Sequence, residues 1–364
     1  MAKKLPKNSP LTTFVYDHLN KRIIEGSFEN GELPTENRLV DELKVSKTTV
    51  RLAEARLIAE NKIVKIQGKG TFVKGFAATG AARKNLYIIA NPHFRIGKLE
   101  YWDAVYDGII DALDYERFSL KLLVPPEDSS RQLSFMLQER IMSDNSAVIF
   151  FGEFPALAGY IAERRETLPM VRIGTPSADI IASVSGDSEM EMLIALKYLF
   201  GLGHRRIAFI GGHGEDIGSR IKARVLRDFS AAHDMPFSEE HIISADFASF
   251  DAQLAAAETL ISLPARPSAV ICVNDQAAQA VCAAIKRTLR IPMDISVIGC
   301  DATSASRFDP VLTTIDTRPR EVGARALAMA ASAHDENNFW LRAERITPRL
   351  AEGRSCAPRA ASNA

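Results

Sequence analysis

The stretch LPTENRLVDELKVSKTTVRLAEARLIAENKIVKIQGKGTFV, residues 33–73, changes its periodicity twice. Thr35 stands where a helix N-cap belongs, with a short helix to follow as far as Leu43. Ser46 is a second cap, opening an Ala-, Leu-, Arg- and Glu-rich helix that runs to Glu60. From Lys62 the character becomes β-type: Ile63, Val64 and Ile66 are interrupted by Gly68 and Gly70, and Thr71-Phe72-Val73 resumes the run, which predicts a hairpin. Upstream, Phe14, Val15, Leu19 and Ile23 recur at helical spacing and predict an amphipathic helix with that apolar face. Three helices and a hairpin in about 65 residues make a winged helix-turn-helix.

The third helix opens with Ser46, Lys47, Thr48, Thr49 and, one turn on, Arg51. Hydroxyls and helix N-terminal amides suit phosphate oxygens, and Lys47 or Arg51 can pair with a guanine edge in the major groove. Lys69, between Gly68 and Gly70, makes a basic, glycine-flexed wing tip able to approach a sugar-phosphate backbone. A three-helix protein–protein module with a solvated basic face fits the same composition. Charge leans toward a polyanion partner: residues 1–75 hold 14 Lys+Arg against 9 Asp+Glu, a balance of +5, within a chain of net charge zero.

The motifs of residues 10–74 resemble the GntR family of bacterial regulators, which carries Leu-Pro-Ser-Glu-Arg before its second helix, Val-Ser-Arg-x-Thr-Val-Arg in its third and Gly-x-Gly-Thr-Phe-Val in its wing. The resemblance implies a DNA-contacting set of Glu36, Lys47, Thr48, Thr49, Arg51 and Gly68. Two departures stand out: Asn37 occupies the place of a usual DNA-contacting Arg, and Lys44 that of a common Gly in the bend. Arg38 lies one position beyond Asn37, a shift that turns a helix by about 100°.

Behind residues 76–84, small and weakly patterned and expected to be a linker, the rhythm becomes strand–helix–strand. Apolar runs at 86–90, 147–151, 207–210, 269–273 and 295–298 are what strands buried on both faces look like, and intervening helices imply parallel crossovers. Each run ends in Gly, Asn or Asp, at Asn91, Gly152, Gly211, Asn274 and Asp301. Ligands of open α/β sheets bind beyond such carboxyl ends. Asn and Asp there can take paired hydrogen bonds from vicinal hydroxyls while an aromatic such as Phe247 covers a sugar face; the same residues also serve as helix caps. Residues 85–358 resemble the LacI-type sensor, related to periplasmic sugar-binding proteins, down to the closing LAEGRSCAP. That resemblance implies Asn274 and Asp301 as effector ligands, Phe247 as a stacking aromatic, and an effector-holding arginine for which Arg220 and Arg224 are the candidates. Asp187 and His204 read as structural.

The expected architecture is therefore multi-domain: an α+β winged helix-turn-helix over 9–75, then an α/β, two-lobed, periplasmic-binding-protein-like (type I) domain with parallel sheets over 85–358. Its second lobe is expected at about 187–315, with flexible ends at 1–8 and 359–364. The implied protein is a ligand-responsive transcription regulator, a repressor that binds double-stranded operator DNA, works as a homodimer and answers a small molecule, a carbohydrate. No cofactor or metal is expected, since Cys272, Cys282, Cys300 and Cys356 show no metal-ligand spacing and read as reduced thiols. No window reaches the roughly 18–20 apolar residues that span a bilayer. The basic start lacks an apolar segment behind it, so a cytoplasmic location is expected. A solute-binding protein and an effector-controlled activator are the competing readings. An enzyme is disfavoured, because no nucleophile–base constellation or Walker loop is found.

Overall fold

The computed structural model describes residues 10–28, 31–66, 70–74, 83–92, 100–138, 146–175, 181–212, 216–247, 249–307, 309–332 and 338–359. Helices α1 (Pro10–Ile24), α2 (Glu36–Leu43) and α3 (Lys47–Ala59) are followed by the antiparallel hairpin of β1 (Ile63–Ile66) and β2 (Gly70–Val73), with Ile63 opposite Val73. Thr35 caps α2 and Ser46 caps α3, each side chain accepting the amide of the third residue on, Arg38 and Thr49. Val15, Leu19, Leu39, Val50, Ala53, Leu57 and Ile63 close one small core. The buried face of α1 is Thr12, Val15, Tyr16 and Leu19, and Phe14 lies 52% exposed. At about 100° per residue the buried stripe runs from Val15 to Tyr16 and holds Thr12 and Leu19 between them, whereas Phe14 falls about 100° beyond Val15 on the other side and so faces away from the core. Ahead of α2 the chain also edges the hairpin, the Leu33 amide donating to the Thr71 carbonyl and Glu32 bridging to Phe72. Between α2 and α3, Lys44 adopts the left-handed conformation (φ 53, ψ 43), which favours glycine and accounts for the glycine common at that place.

The body begins at β3 (Lys84–Ala90), on the last residue of the expected linker, and continues through α4 (Glu100–Ala112), β4 (Phe118–Leu123), α5 (Ser129–Gln138), β5 (Ser146–Phe151), α6 (Ala158–Arg164), β6 (Met170–Ile173) and β7 (Ala182–Gly186). Then come α7 (Ser188–Gly201), β8 (Ile207–Gly211), α8 (Ile217–Ala232), β9 (Ile242–Ser244), α9 (Phe250–Ile261), β10 (Ala269–Cys272), α10 (Asp275–Ile285), β11 (Ser296–Cys300) and β12 (Thr313–Asp316). The chain finishes with α11 (Pro319–Ser332), β13 (Ala343–Ile346) and β14 (Arg349–Ala351).

Two six-stranded sheets result, ordered β13-β7-β6-β5-β3-β4 and β14-β12-β11-β10-β8-β9. Neighbours β5–β6–β7–β13 and β9–β8–β10–β11–β12 run parallel, and β14 closes the second sheet antiparallel to β12. Each sheet is covered by helices, and its central strands are buried throughout, as in β5 and β10. The strands that periodicity missed are short or polar: β7 reads ASVSG and β12 reads TTID.

The lobes are not consecutive in sequence. After β12 the chain returns to the first lobe, where α11 packs on α4, β5, β6 and β7. Gly323 makes that contact possible, because a Cβ there would stand 2.0 Å from the Val105 carbonyl oxygen. The chain thus crosses between lobes before α7, before α11 and between β13 and β14. Among the described residues no helix is long and apolar enough to cross a membrane.

Candidate functional site

In the small N-terminal unit the charged groups converge on Glu36, at the first turn of α2. Its carboxylate accepts from Lys65 Nζ at 2.6 Å and Arg51 Nε at 2.9 Å, and Lys47 Nζ lies 3.8 Å away. The Lys65 ammonium, and after it the Arg51 guanidinium, hold the Glu36 carboxyl below the usual carboxylate range. Lys47 also donates to Asn37 Oδ1 at 3.0 Å. The start of α3, the start of α2 and strand β1 therefore form one exposed surface on which Lys47, Arg51 and Lys65 stand around Glu36, with the buried Glu54 also 3.6 Å from Lys65. Ser46 faces the same end of α3, its hydroxyl 2.8 Å from that of Thr49. Arg38 does not join this surface, since it turns along α2 to Glu42, 3.0 Å away. Lys65 was not singled out from the sequence, and strand alternation gave no signal for it, because it lies two positions from the buried Ile63 on the same face of β1 and is nevertheless exposed. The expected wing-tip residues Gly68 and Lys69 lie outside the described residues.

In the body, a cavity of about 410 Å³ opens between the lobes at the carboxyl ends of both parallel sheets. The first lobe contributes Asn91, Tyr101, Trp102, Glu153 and Ser185; the second contributes Asp216, Phe247, Asn274, Asp301 and Thr317. Phe247, Asn274 and Asp301 are thus brought together, as the strand-end reading required. Trp102 stacks on Phe151 at 5.2 Å and meets Tyr101 edge-on, which gives the cavity an aromatic wall opposite Phe247. Asn274 lines the cavity and also serves as a helix cap. Its Oδ1 accepts the Ala277 amide at 2.7 Å, capping α10, which turns the amide nitrogen the other way.

Arg220 and Arg224 do not reach the cavity. Both are exposed on α8, and Arg224 pairs with Glu189 at 3.6 Å. The buried face of that helix holds Ser219, Lys222, Ala223, Leu226 and Phe229. Positions 220 and 224 lie a helical turn apart on the other side, so the cation aimed inward is Lys222. That spacing, with Lys222 in register with Ser219, Ala223 and Leu226, is a signal the sequence itself carries. Lys222 Nζ stands 2.8 Å from Glu191 Oε2 and 3.6 Å from Cys300 Sγ, all three groups buried. Burial favours the neutral amine, but Cys300, Glu191 and Asp301 outweigh it and hold the ammonium above the ordinary lysine range.

Asp301 has positive φ (94°) and accepts from Thr317 Oγ1 at 3.1 Å. Burial, then the neighbouring Asp275 carboxylate, pushes its carboxyl up to about 7. Asp275 itself is buried beneath the cavity floor, accepting from Thr314 Oγ1 at 2.6 Å and from the Thr303 amide at 2.7 Å, and is raised to about 6 by burial. Gly299 is required beside it, because a Cβ there would lie 2.1 Å from Asp275 Oδ1. Two residues expected to be structural are so placed: Asp187 caps α7, and His204 bridges Ser268 Oγ and the Ala357 carbonyl. The four cysteines are free thiols.

A winged helix followed in sequence by a two-lobed α/β unit with a cleft between its sheets defines a DNA-binding regulator with a ligand-binding sensor. Residues 11–73 match the family of bacterial regulatory proteins, gntR family, and residues 196–356 match the periplasmic binding protein-like domain. The chain is 32% identical over 237 residues to the HTH-type transcriptional repressor PurR of Klebsiella pneumoniae (strain 342), covering 64% of this chain and 68% of that one. PurR of Yersinia pestis (strain Pestoides F) is 31% identical over 231 residues, 62% of this chain and 66% of its own. A LacI transcriptional regulator from Bacillus cereus subsp. cytotoxis superposes with a TM-score of 0.68 at 22% identity, over 76% of this chain and all of that one. The lac repressor dimer bound to operator and the anti-inducer ONPF gives 0.65 at 18% identity, over 76% and 96%. The chain belongs to the LacI-type transcriptional regulators, and its DNA-binding unit is of the gntR family.

Proposed function

We propose that this regulator is a cytoplasmic, homodimeric repressor that binds operator DNA through α3 and its hairpin, and releases or alters that binding when a neutral polyhydroxylated molecule, a carbohydrate, enters the cleft. The observation that carries the ligand class is the lining: aromatic faces on both lobes, with amide and carboxylate groups between them and, among the described residues, no lysine or arginine. Apolar sugar faces stack on aromatic rings, a sugar hydroxyl can accept from the Asn274 amide nitrogen while its neighbour donates to the Asp301 carboxylate, and a phosphorylated or acidic sugar would meet carboxylates with no cation among the described lining. A solved relative by fold, CelR, is described in complex with cellobiose. In this reading Ser46, Lys47, Thr48, Thr49 and Arg51 face the DNA, with Glu36 and Asn37 aligning the cations, while Gly68 and Lys69 supply the wing. Arg38 is peripheral.

A ligand touching Trp102 in one lobe and Phe247, Asn274 and Asp301 in the other favours the closed arrangement by its differential affinity for it, and closure changes how a dimer presents its two DNA-binding units. The decisive experiment is a thermal-shift screen of neutral pentoses, hexoses, disaccharides, their phosphates and purines, followed by operator gel shifts with each hit. A neutral sugar should raise the melting midpoint and change operator affinity, and Asp301→Ala should lose both effects while still binding DNA. A response confined to purines or to sugar phosphates would refute the assignment.

A further inference from the structure

The second lobe carries another concavity, of about 500 Å³, at the opposite ends of its strands. Arg206 precedes β8, Arg266 precedes β10 and Asp294 precedes β11, whereas Asn274 and Asp301 of the cleft follow β10 and β11. Strands of four or five residues separate the two sites by about 15 Å. Three guanidiniums, those of Arg206, Arg266 and Arg359, line the cavity. No described carboxylate forms an ion pair with any of them. The lining acid, Asp294, is already engaged by Arg290, whose Nε, Nη2 and backbone amide donate to it at 3.1, 3.2 and 2.8 Å.

His204 adds no positive charge, because burial pushes its imidazole below the ordinary histidine range and both ring nitrogens are engaged. The site is also built rather than draped. Backbone bonds tie it down, from the Ser268 amide to the Arg206 carbonyl at 2.9 Å and from the Arg359 amide to the Leu202 carbonyl at 2.8 Å, and four prolines line the same cavity.

Three guanidiniums around one rigid hollow, with only Asp294, shared between Arg290 and the more distant charge of Arg266, as a described lining carboxylate, repel one another and match the oxygens of a compact tetrahedral dianion, each offering a planar fork of donors. We propose that this cavity is a second ligand site, which binds a phosphate group, free or carried on a small metabolite. It is separate from the cleft, where cations are missing from the described lining.

Calorimetric titration of the full chain at low ionic strength with inorganic phosphate and with glycerol phosphate tests this. Both probes should bind, and Arg266→Ala/Arg359→Ala should weaken binding by about tenfold or more, as loss of two charge-assisted contacts requires. Tighter binding of the ester would identify a phosphorylated metabolite as the ligand; equal binding would identify phosphate itself. Occupancy should also raise the pKa of His204, read by imidazole NMR, because Arg359 contributes to its depression and would be neutralised. The exposed-side single variant Arg266→Gln provides the same comparison if the double variant misfolds. Absence of binding, unchanged affinity in either variant, or a His204 signal indifferent to phosphate would overturn the proposal. Loss of operator affinity without any phosphate binding would reassign these arginines to DNA.

Discussion

Lys222→Met should destabilise the body sharply, whereas Lys222→Met combined with Glu191→Gln should not. The two side chains are 10% and 6% exposed and 2.8 Å apart, so each ion has surrendered its water for the other. Removing one partner strands a buried charge, at a cost of about 3–5 kcal/mol; removing both also removes the desolvation penalty and should leave a deficit of about 1 kcal/mol. At roughly 2–4 °C per kcal/mol for a unit of this size, either single variant should lose about 6–20 °C in melting midpoint. Trp102 and Trp340 both lie in the body, so tryptophan fluorescence during urea or thermal unfolding reports this unit alone. A single-variant loss below about 1 kcal/mol, or a double variant as unstable as either single, would refute the reasoning that the pair is a coupled buried ion pair.

The raised Asp301 carboxyl has a sign that can be read in solution. Its folded value of about 7 lies above the ordinary aspartate range, so between roughly pH 4 and 7 the folded state holds more protons and stability falls as pH rises, by at most about 1.4 kcal/mol per unit for one group. Asp301→Asn should flatten that slope in urea titrations, leaving the smaller contribution of Asp275; an unchanged slope would contradict the burial argument. Lys44→Gly should stabilise the winged helix by about 0.5–1 kcal/mol, the left-handed cost relieved less the extra chain entropy of glycine, seen as slower hydrogen exchange in α2 and α3. Faster exchange there would mean that the lysine makes a compensating contact. Arg51→Ala should weaken operator binding and lower the salt dependence by about one phosphate contact, leaving effector binding intact; a gel-shift series with an unaltered slope would remove Arg51 from the interface.

Much of this protein was legible in one dimension. Thr35 and Ser46 mark their helices because caps are local chemistry, and the central strands of both sheets announce themselves as apolar runs because both of their faces are covered. Asn274 and Asp301 could be placed at a cleft because strand ends in parallel sheets are where ligands have access. Helical periodicity could also have rejected Arg220 and Arg224 in favour of Lys222, since Ser219, Lys222, Ala223 and Leu226 share a stripe.

Other features had no local signal. The return of residues 319–346 to the first lobe depends on α11 fitting α4, a contact between segments some two hundred residues apart. The clustering of Lys47, Arg51 and Lys65 on Glu36 depends on how β1 lies against the two preceding helices. The state of Asp301 depends on Asp275, Glu191 and Lys222 arriving from three different elements. The sequence by itself determined which elements form and where they end, because capping, periodicity and burial of both strand faces act over a few residues. Which charges are buried, which are paired and which face the cleft was decided only by the tertiary structure, because electrostatic environments are made by groups that the chain brings together from far apart.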